Sequence, residues 1–149
     1  MKVYLASDHA GFDLKEKLFA HLAKLNYDVE DVGDKTLDPQ DDYPQFAYAA
    51  TAKVLGDKDP DVKAILVCGS GQGMCIAANR VRGIRASLCW DEHSAKETRE
   101  DNDSNVLCLP SRVLSGDEAN QITDTWLKTP FSGAARHLRR IKEIEELYG

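Results

Sequence analysis

A thiol followed at once by a glycine-rich turn is the first feature of the sequence that could do chemistry. Cys68 ends an apolar run, and Gly69–Gly73 then supplies three glycines in five residues. Glycines leave backbone N–H groups uncovered before a helix, which suits an anion or a developing oxyanion. Cys68 then lies at the edge of a positive field that favours its thiolate, and Ser70 adds a hydroxyl donor. The competing interpretation is that Cys68 is a buried strand residue and the glycines only turn the chain.

Three familiar ligand-binding loops do not fit this segment. A Walker loop requires a Lys that is absent here, and a Cys-x5-Arg phosphatase loop requires Arg where this chain has Met74. The dinucleotide-binding motif Gly-x-Gly-x-x-Gly requires its last glycine at position 74, where this chain also has Met74. That motif also follows the first strand of its fold, whereas this loop follows the third predicted strand. The segment therefore needs another explanation.

Two further groups of residues combine charge with a suggestive position. Asp8 and His9 follow the first apolar run, beside a predicted helix N-terminus. Asp8 is equally suited to capping that helix, whereas a cap does not require His9. Near the end of the chain, Arg136 and Arg140 are four residues apart on one helical face, where two guanidinium groups suit a phosphate. A solvated basic face is the alternative, although neither Arg has an acidic residue four positions later.

Other connectors are also rich in polar groups. Residues 99–105 read Arg-Glu-Asp-Asn-Asp-Ser-Asn and include Asp101 and Asn102. Asp91–His93 follows the fourth apolar run, and Arg112 follows the fifth. A solvated loop is the default for such segments, so their residue types alone leave their role open.

The elements that must position these residues are short strands alternating with helices. Apolar runs over residues 3–6, 27–32, 62–67, 84–90 and 106–109 predict five strands. Helical patterns cover about 14–25, 43–55, 73–81, 93–100, 115–127 and 135–148. Repeated βαβ units predict an α/β fold, with a five-stranded parallel sheet and helices on both faces. Such sheets place their sites at the carboxyl ends of the strands.

Composition narrows the function further. The 149 residues fit a single domain, 1–149, and 42% hydrophobic with 30% charged residues is typical of a folded globular protein. A net charge of −6 argues against nucleic-acid binding, and no apolar stretch predicts a signal peptide or membrane span. Four cysteines without a CxxC pair predict no metal site, and reduced thiols favour a cytoplasmic protein.

Together these residues resemble the type B ribose-5-phosphate isomerase family, which includes galactose-6-phosphate and allose-6-phosphate isomerases. The resemblance runs over essentially the whole chain. Its most specific stretches are Asp42-Tyr43-Pro44, 68–74 with 77–79, 102–107 and 133–137.

This resemblance implies a Rossmann-like, three-layer αβα sandwich with an extra C-terminal helix. It implies reversible aldose–ketose isomerisation of a phosphorylated sugar through a cis-enediolate, without metal or organic cofactor. It also implies a homodimer, or in some members a tetramer, whose sites are shared between subunits. The family's base is a Cys at the position of Cys68, or a Glu at that of Met74. Because Met74 cannot take a proton, Cys68 is the implied base.

The family also implies a role for each remaining candidate. Ser70 and the loop N–H groups would stabilise the enediolate oxygen; that loop is Gly69, Gly71, Gln72 and Gly73. Asp8 and Asn102 would hold sugar hydroxyls. Four cationic side chains would hold the phosphate, some of them from the partner chain: His9, Arg112, Arg136 and Arg140.

Asp101 is the main departure from the family, whose members commonly have His there to open the furanose ring. Asp101 could act as the acid–base group if burial raised its pKa. His93 or His137 could replace it, or the substrate could arrive open. Ribose 5-phosphate is the leading substrate, and a six-carbon sugar 6-phosphate is second. A non-catalytic sugar-phosphate-binding homologue is the alternative outside enzymes.

Overall fold

Five parallel strands and six α-helices make up the computed structural model, which describes residues 1–149. The strands are β1 (Lys2–Ser7), β2 (Asp28–Asp31), β3 (Lys63–Cys68), β4 (Ala86–Leu88) and β5 (Val106–Pro110). The helices are α1 (Phe12–Lys24), α2 (Tyr43–Gly56), α3 (Gln72–Ala78), α4 (Glu92–Asn102), α5 (Gly116–Lys128) and α6 (Ala135–Tyr148). A 3₁₀ turn, His9–Gly11, joins β1 to α1. None of the helices is long and apolar enough to cross a membrane.

Alternate residues of the central strands enter two separate cores, one on each face of the sheet. Val3 and Leu5 of β1 pack into the core that contains Trp126 of α5, whereas Tyr4 and Ala6 pack into the core beneath α2 and α3. Successive side chains of a strand point to opposite faces, so continuous apolar strands require helices on both sides. The predicted three-layer αβα architecture and its extra helix α6 are confirmed.

The strand order β2-β1-β3-β5-β4 places the carboxyl ends of β1, β3 and β5 side by side. β1 connects to β2 on one side and pairs with β3 on the other, which makes it the switch point of the sheet. The 3₁₀ turn lies tightly on the end of β3, because a Cβ on Gly11 would come within 2.3 Å of the Val67 carbonyl oxygen. This glycine lets the loop after β1 approach the loop after β3.

Among the element boundaries that differ from the sequence prediction, two adjoin strand β4. The predicted strand 84–90 is reduced to Ala86–Leu88, because Asn79 bonds both backbone polar groups of Ala86 and Asp91 begins a capping box for α4. Helix α4 continues to Asn102, two residues beyond its predicted end, so Asp101 and Asn102, interpreted as part of a solvated connector, belong to its last turn. Arg99 is buried there, where its guanidinium donates to the carbonyl of Ser104.

Candidate active site

Cys68 lies buried at the carboxyl end of β3, directly before the glycine-rich turn. Gly71 adopts a left-handed φ of +72° as it begins α3. A side chain at that position would collide with Leu88, so both the conformation and the space require glycine. Ser70 is exposed, and its Oγ accepts a hydrogen bond of 3.3 Å from the N–H of Gln72. The turn therefore presents a hydroxyl and the first N–H groups of a helix beside the thiol.

The loop after β5 closes one side of this turn. The N–H of Ser111 donates to the Cys68 carbonyl at 2.9 Å, and the N–H of Arg112 donates to the Gly69 carbonyl at 3.0 Å. The Arg112 guanidinium lies against Gly69, where a Cβ would be 2.6 Å from its central carbon. Ser111 Oγ also donates to the Ala10 carbonyl at 2.7 Å, which ties this loop to the one after β1.

Asp8 and His9 form the third wall of the cluster. Asp8 is buried and its Oδ1 accepts the N–H of Gly11 at 3.0 Å, so the capping interpretation is confirmed, while its second oxygen makes no hydrogen bond within the chain. His9 Nδ1 lies 2.6 Å from Asp41 Oδ1. This hydrogen bond raises the pKa of His9; the charge of Asp8 adds to the effect and that of Arg112 opposes it. The raised pKa favours the imidazolium form of His9, which lies close enough to Arg112 for their charges to interact, an arrangement that suits a phosphate.

Sequence reasoning missed two residues of this cluster. The Tyr43 ring covers Gly73 so closely that a Cβ there would lie 2.8 Å from the ring. Tyr43 belongs to the quoted Asp42-Tyr43-Pro44 stretch, which was a signal that it lies near the site. Asp41 is one of four Asp residues in the loop 34–42, and nothing in their spacing distinguishes it.

The side chains of Asp8, His9 and Asp41 are also the one group whose ligand-type atoms, all within 4.8 Å of one another, suit a metal ion. Their hydrogen bonds already explain this proximity. Asp8 caps the 3₁₀ turn, while Asp41 accepts from both the backbone N–H and the ring of His9.

The remaining predicted site residues lie at the opposite, amino-terminal edge of the sheet. Helix α4 starts near the carboxyl end of β4 and runs back along the sheet to end at Asp101 and Asn102. The Asn102 carbonyl oxygen accepts a hydrogen bond of 3.0 Å from Arg85 Nε. Arg85 immediately precedes β4. The two edges are separated by the four residue steps of β3 from Ala64 to Cys68, which correspond to about 13 Å. Within one chain, Cys68 and Asp101 are therefore not brought together.

His137 organises this second cluster. It is buried, and its Nε2 accepts from Arg136 Nε at 2.9 Å. Its proton therefore lies on Nδ1, which contacts the Asp101 carbonyl at 3.0 Å. This arrangement fixes Arg136 beside Asp101, and exposed Arg140 follows one turn later on α6.

Comparison with known proteins places the chain in a family. A family model described as Ribose/Galactose Isomerase matches residues 3–144. The chain belongs to this family. A ribose-5-phosphate isomerase B from Mycolicibacterium paratuberculosis is 42% identical over 98% of this chain and 91% of its own length. The resemblance inferred from the sequence motifs is confirmed.

Solved structures agree closely with the fold. Ribose-5-phosphate isomerase B from Clostridium thermocellum has a TM-score of 0.93 and 40% identity, over 99% of this chain and 97% of that one. The Mycoplasma genitalium enzyme, solved with bound ribulose 5-phosphate, has a TM-score of 0.92 and 41% identity, over 97% and 94% of the two chains.

Among the four free thiols of this family member, the lowered pKa belongs to Cys75, outside the loop. A hydrogen bond from the Cys108 thiol lowers the pKa of half-buried Cys75 to about 7. Burial raises the pKa of Cys89 to about 12 and that of Cys108 far above its usual range. Thiol acidity and position in the candidate site thus select different cysteines, and position is the basis for assigning Cys68.

Proposed function

We propose that this chain is an aldose–ketose isomerase that converts ribose 5-phosphate to ribulose 5-phosphate. One observation carries the proposal: the Cys68 thiol lies at one sheet edge with the glycine-rich turn and the cationic pair His9 and Arg112. The ribulose 5-phosphate bound to the Mycoplasma relative supports a five-carbon substrate.

Cys68 moves the proton in this proposal. Its thiolate takes the proton from C2 of the open-chain aldose, and the C–H electron pair becomes the C1–C2 double bond of the enediolate. The charge goes to O1, a proton passes from O2 to O1, and the thiol returns its proton to C1. One group whose pKa lies near the working pH can serve both transfers. Met74, the position of the family's alternative base, is a fully buried thioether and takes no part.

The turn after Cys68 supplies the electrostatic stabilisation. Negative charge develops on the carbonyl oxygen as the proton leaves, and preorganised donors at that point lower the barrier. Ser70 Oγ and the N–H groups of Gly69, Gly71, Gln72 and Gly73 are the donors that we assign to this oxygen. Because glycines leave the backbone open, the substrate can approach these groups closely.

The other substrate contacts come from both sheet edges. We assign Asp8 and Asn102 to the sugar hydroxyls. We assign four cationic residues to the phosphate: His9 and Arg112 at the carboxyl edge, Arg136 and Arg140 at the amino edge. Since these edges are about 13 Å apart in one chain, a complete site needs the amino edge of a second copy.

A homodimer with shared sites follows from this division. Helix α6 exposes several apolar side chains, including Leu138, Ile144 and Leu147. Helix α6 also carries Arg136 and Arg140, so covering this helix with a second copy would bring both guanidinium groups into the partner's site.

We assign ring opening to Asp101. Its side chain is 51% exposed in the single chain, so any burial must come from the second copy. His137 is buried and already bonded to Arg136, and His93 is an exposed residue at the start of α4. Asp101 is thus the candidate that is both accessible and next to Asn102.

We place the reaction in the cytoplasm, within pentose phosphate metabolism. All four cysteines are free thiols, which suits a reducing compartment. The substrate and product are both pentose phosphates, consistent with the names of the relatives.

An isomerisation assay tests this function directly. Purified protein is incubated separately with ribose 5-phosphate, allose 6-phosphate and galactose 6-phosphate, and ketose formation is followed. We expect conversion of ribose 5-phosphate, with a loss of about 10²–10⁴-fold in Cys68→Ala because its acid–base group is gone. Cys75→Ala is the matched control and retains activity.

Other outcomes would overturn parts of the proposal. Conversion of only a six-carbon substrate would move the function within the family and make Asp101 a specificity residue. Binding without conversion of any of the three would favour a non-catalytic sugar-phosphate-binding protein. Full activity in Cys68→Ala would exclude the assigned base.

A further inference from the structure

The loop between β2 and α2 places a buried carboxylate beneath His9. Asp41 is 3% exposed at its side chain, and its Oδ1 accepts the His9 backbone N–H at 3.1 Å. The same oxygen lies 2.6 Å from Nδ1 of the His9 ring, which is 38% exposed. One carboxylate oxygen thus fixes both the backbone and the ring of His9.

A second carboxyl group, that of Asp34, interacts with Asp41. Asp41 Oδ2 is buried and has no conventional donor within the chain. Burial and a hydrogen bond with Asp41 raise the pKa of Asp34, while nearby Lys15 opposes this shift. This shift favours a proton on Asp34 that faces Asp41, so that the negative charge of the pair is favoured on Asp41, beside His9.

The loop itself is anchored in the core. Lys15 of α1 is fully buried, and its ammonium donates to Asp31 Oδ2 at 2.7 Å and to the Asp34 carbonyl at 2.6 Å. A buried charge needs such partners, so this lysine holds the start of the loop tightly. Helix α2 begins one residue after Asp42 and holds its end. Asp41 therefore reaches His9 from a fixed segment.

This geometry determines what His9 can offer a ligand. With Nδ1 directed at Asp41, Nε2 is the one ring donor left for a substrate. The charged groups that act on the ring are Asp41, Asp8 and Arg112. The two carboxylates favour the imidazolium over the neutral ring, and Arg112 opposes them while adding a second cation to the same corner.

We propose that Asp41 is a positioning residue that holds His9 as an oriented imidazolium whose Nε2–H binds the substrate phosphate. This role rests on the proposed function, in which His9 contacts that phosphate. Asp41 does not touch the reacting carbons, so its removal weakens substrate binding and spares the proton transfer at Cys68.

Asp41→Asn tests the proposal, because the amide keeps the shape of the side chain and removes its charge. Asp38→Asn is the matched control: it makes the same change in the same loop, where Asp38 contacts the Gln40 N–H and not His9. NMR titration of the free protein follows the His9 ring, identified by the signal that disappears in His9→Gln. Steady-state kinetics with ribose 5-phosphate give KM and kcat at about pH 6 and about pH 8.

We expect the pKa of His9 to fall in Asp41→Asn and to stay raised in Asp38→Asn. KM of Asp41→Asn should rise about tenfold at the higher pH, where its ring is neutral, and less at the lower pH, where protonation restores the donor. kcat should remain within about twofold. Asp41→Glu, which restores the charge, should recover part of the affinity.

Two results would overturn the proposal: an unchanged His9 pKa in Asp41→Asn, or a fall in kcat at constant KM. If that variant does not fold, the wild-type titration still decides, since a His9 pKa at or below its ordinary value would exclude the charged pair. Absence of isomerisation in the wild type would instead refute the proposed function. The NMR titration would still show whether Asp41 raises the pKa of His9.

Discussion

The two edges of the sheet carry the two halves of the candidate site in different ways. At the carboxyl edge, loops after three strands interlock through backbone contacts, such as Ser111 with Cys68 and Gly11 with Val67. At the amino edge, Asp101, Asn102, Arg136 and Arg140 are exposed side chains on the ends of two surface helices. Of the residues in that second cluster, His137 is the one that is buried.

In the proposed function, this difference separates the isomerisation base Cys68 from two of the phosphate-binding residues, Arg136 and Arg140. Proton transfer requires reacting groups held within a fraction of an ångström, which an interlocked set of loops provides. Phosphate recognition by long guanidinium side chains tolerates an interface that forms only when two chains meet. If the proposed function is right, a fold that keeps Cys68 in the core and two phosphate-binding arginines on the surface would link activity to assembly.

The largest expected effect is the recovery of activity when two variants, each damaged at a different edge of the sheet, are mixed. Cys68→Ala damages the carboxyl edge, and the double variant Arg136→Ala/Arg140→Ala damages the amino edge. When both chains are co-expressed, half of the dimers are mixed and each has one intact site. Activity should therefore recover to about a quarter of the wild-type value.

The matched control for this recovery carries all three substitutions on one chain and is co-expressed with Cys68→Ala. Both chains of that mixture lack the Cys68 thiol, so activity should stay at background; activity above background there would reveal a contaminating isomerase. No recovery in the test mixture would mean that each site is built from a single chain.

A smaller effect should come from the arginines taken singly. Arg136→Ala or Arg140→Ala each removes a charge-assisted phosphate contact, worth about 1.5–3 kcal/mol, so KM should rise about tenfold or more. kcat should change little, because the base and the oxyanion donors remain. Arg139, exposed on the same helix, gives the control variant Arg139→Ala. An unchanged KM in both variants would remove α6 from the phosphate site.

The sequence predicted the carboxyl-edge half of the site better than its surroundings. Cys68, Ser70 and Arg112 follow strands whose apolar runs are buried on both faces, so parallel-sheet geometry alone brings them to one edge. Asp41 escaped prediction because a nine-residue loop has no periodicity from which to place one carboxylate beneath His9. The fold was predictable because βαβ alternation is a strong pattern.

The end of α4 shows a different limit. Asp101 and Asn102 adjoin another polar run, so no hydrophobic pattern indicates that the helix predicted over 93–100 continues to them. Their helical turn is fixed by tertiary contacts, in which Arg99 bonds Asp103 at 2.9 Å and the Thr129 carbonyl at 3.2 Å. Local propensity carries no information about such partners.

The smallest effect concerns the thiols, where acidity and location point to different residues. The thiolate is the reactive form, so iodoacetamide labelling of Cys75 should rise with pH through a midpoint at about 7 and level off once the thiol is ionised. Ribose 5-phosphate should leave that rate unchanged, because Cys75 lies outside the turn, and should slow labelling of Cys68 several-fold by covering it. Cys89 and Cys108 should stay unlabelled, since burial and raised pKa values keep them as thiols.

Mass spectrometry of each cysteine-containing peptide, with and without substrate, measures these rates separately. Cys75→Ala provides the control: it removes the cysteine that is labelled fastest, and substrate should still slow the labelling of Cys68. Protection of Cys75 in place of Cys68 would move the substrate away from the carboxyl-edge turn. Equal labelling of all four thiols would show that neither acidity nor burial distinguishes these cysteines.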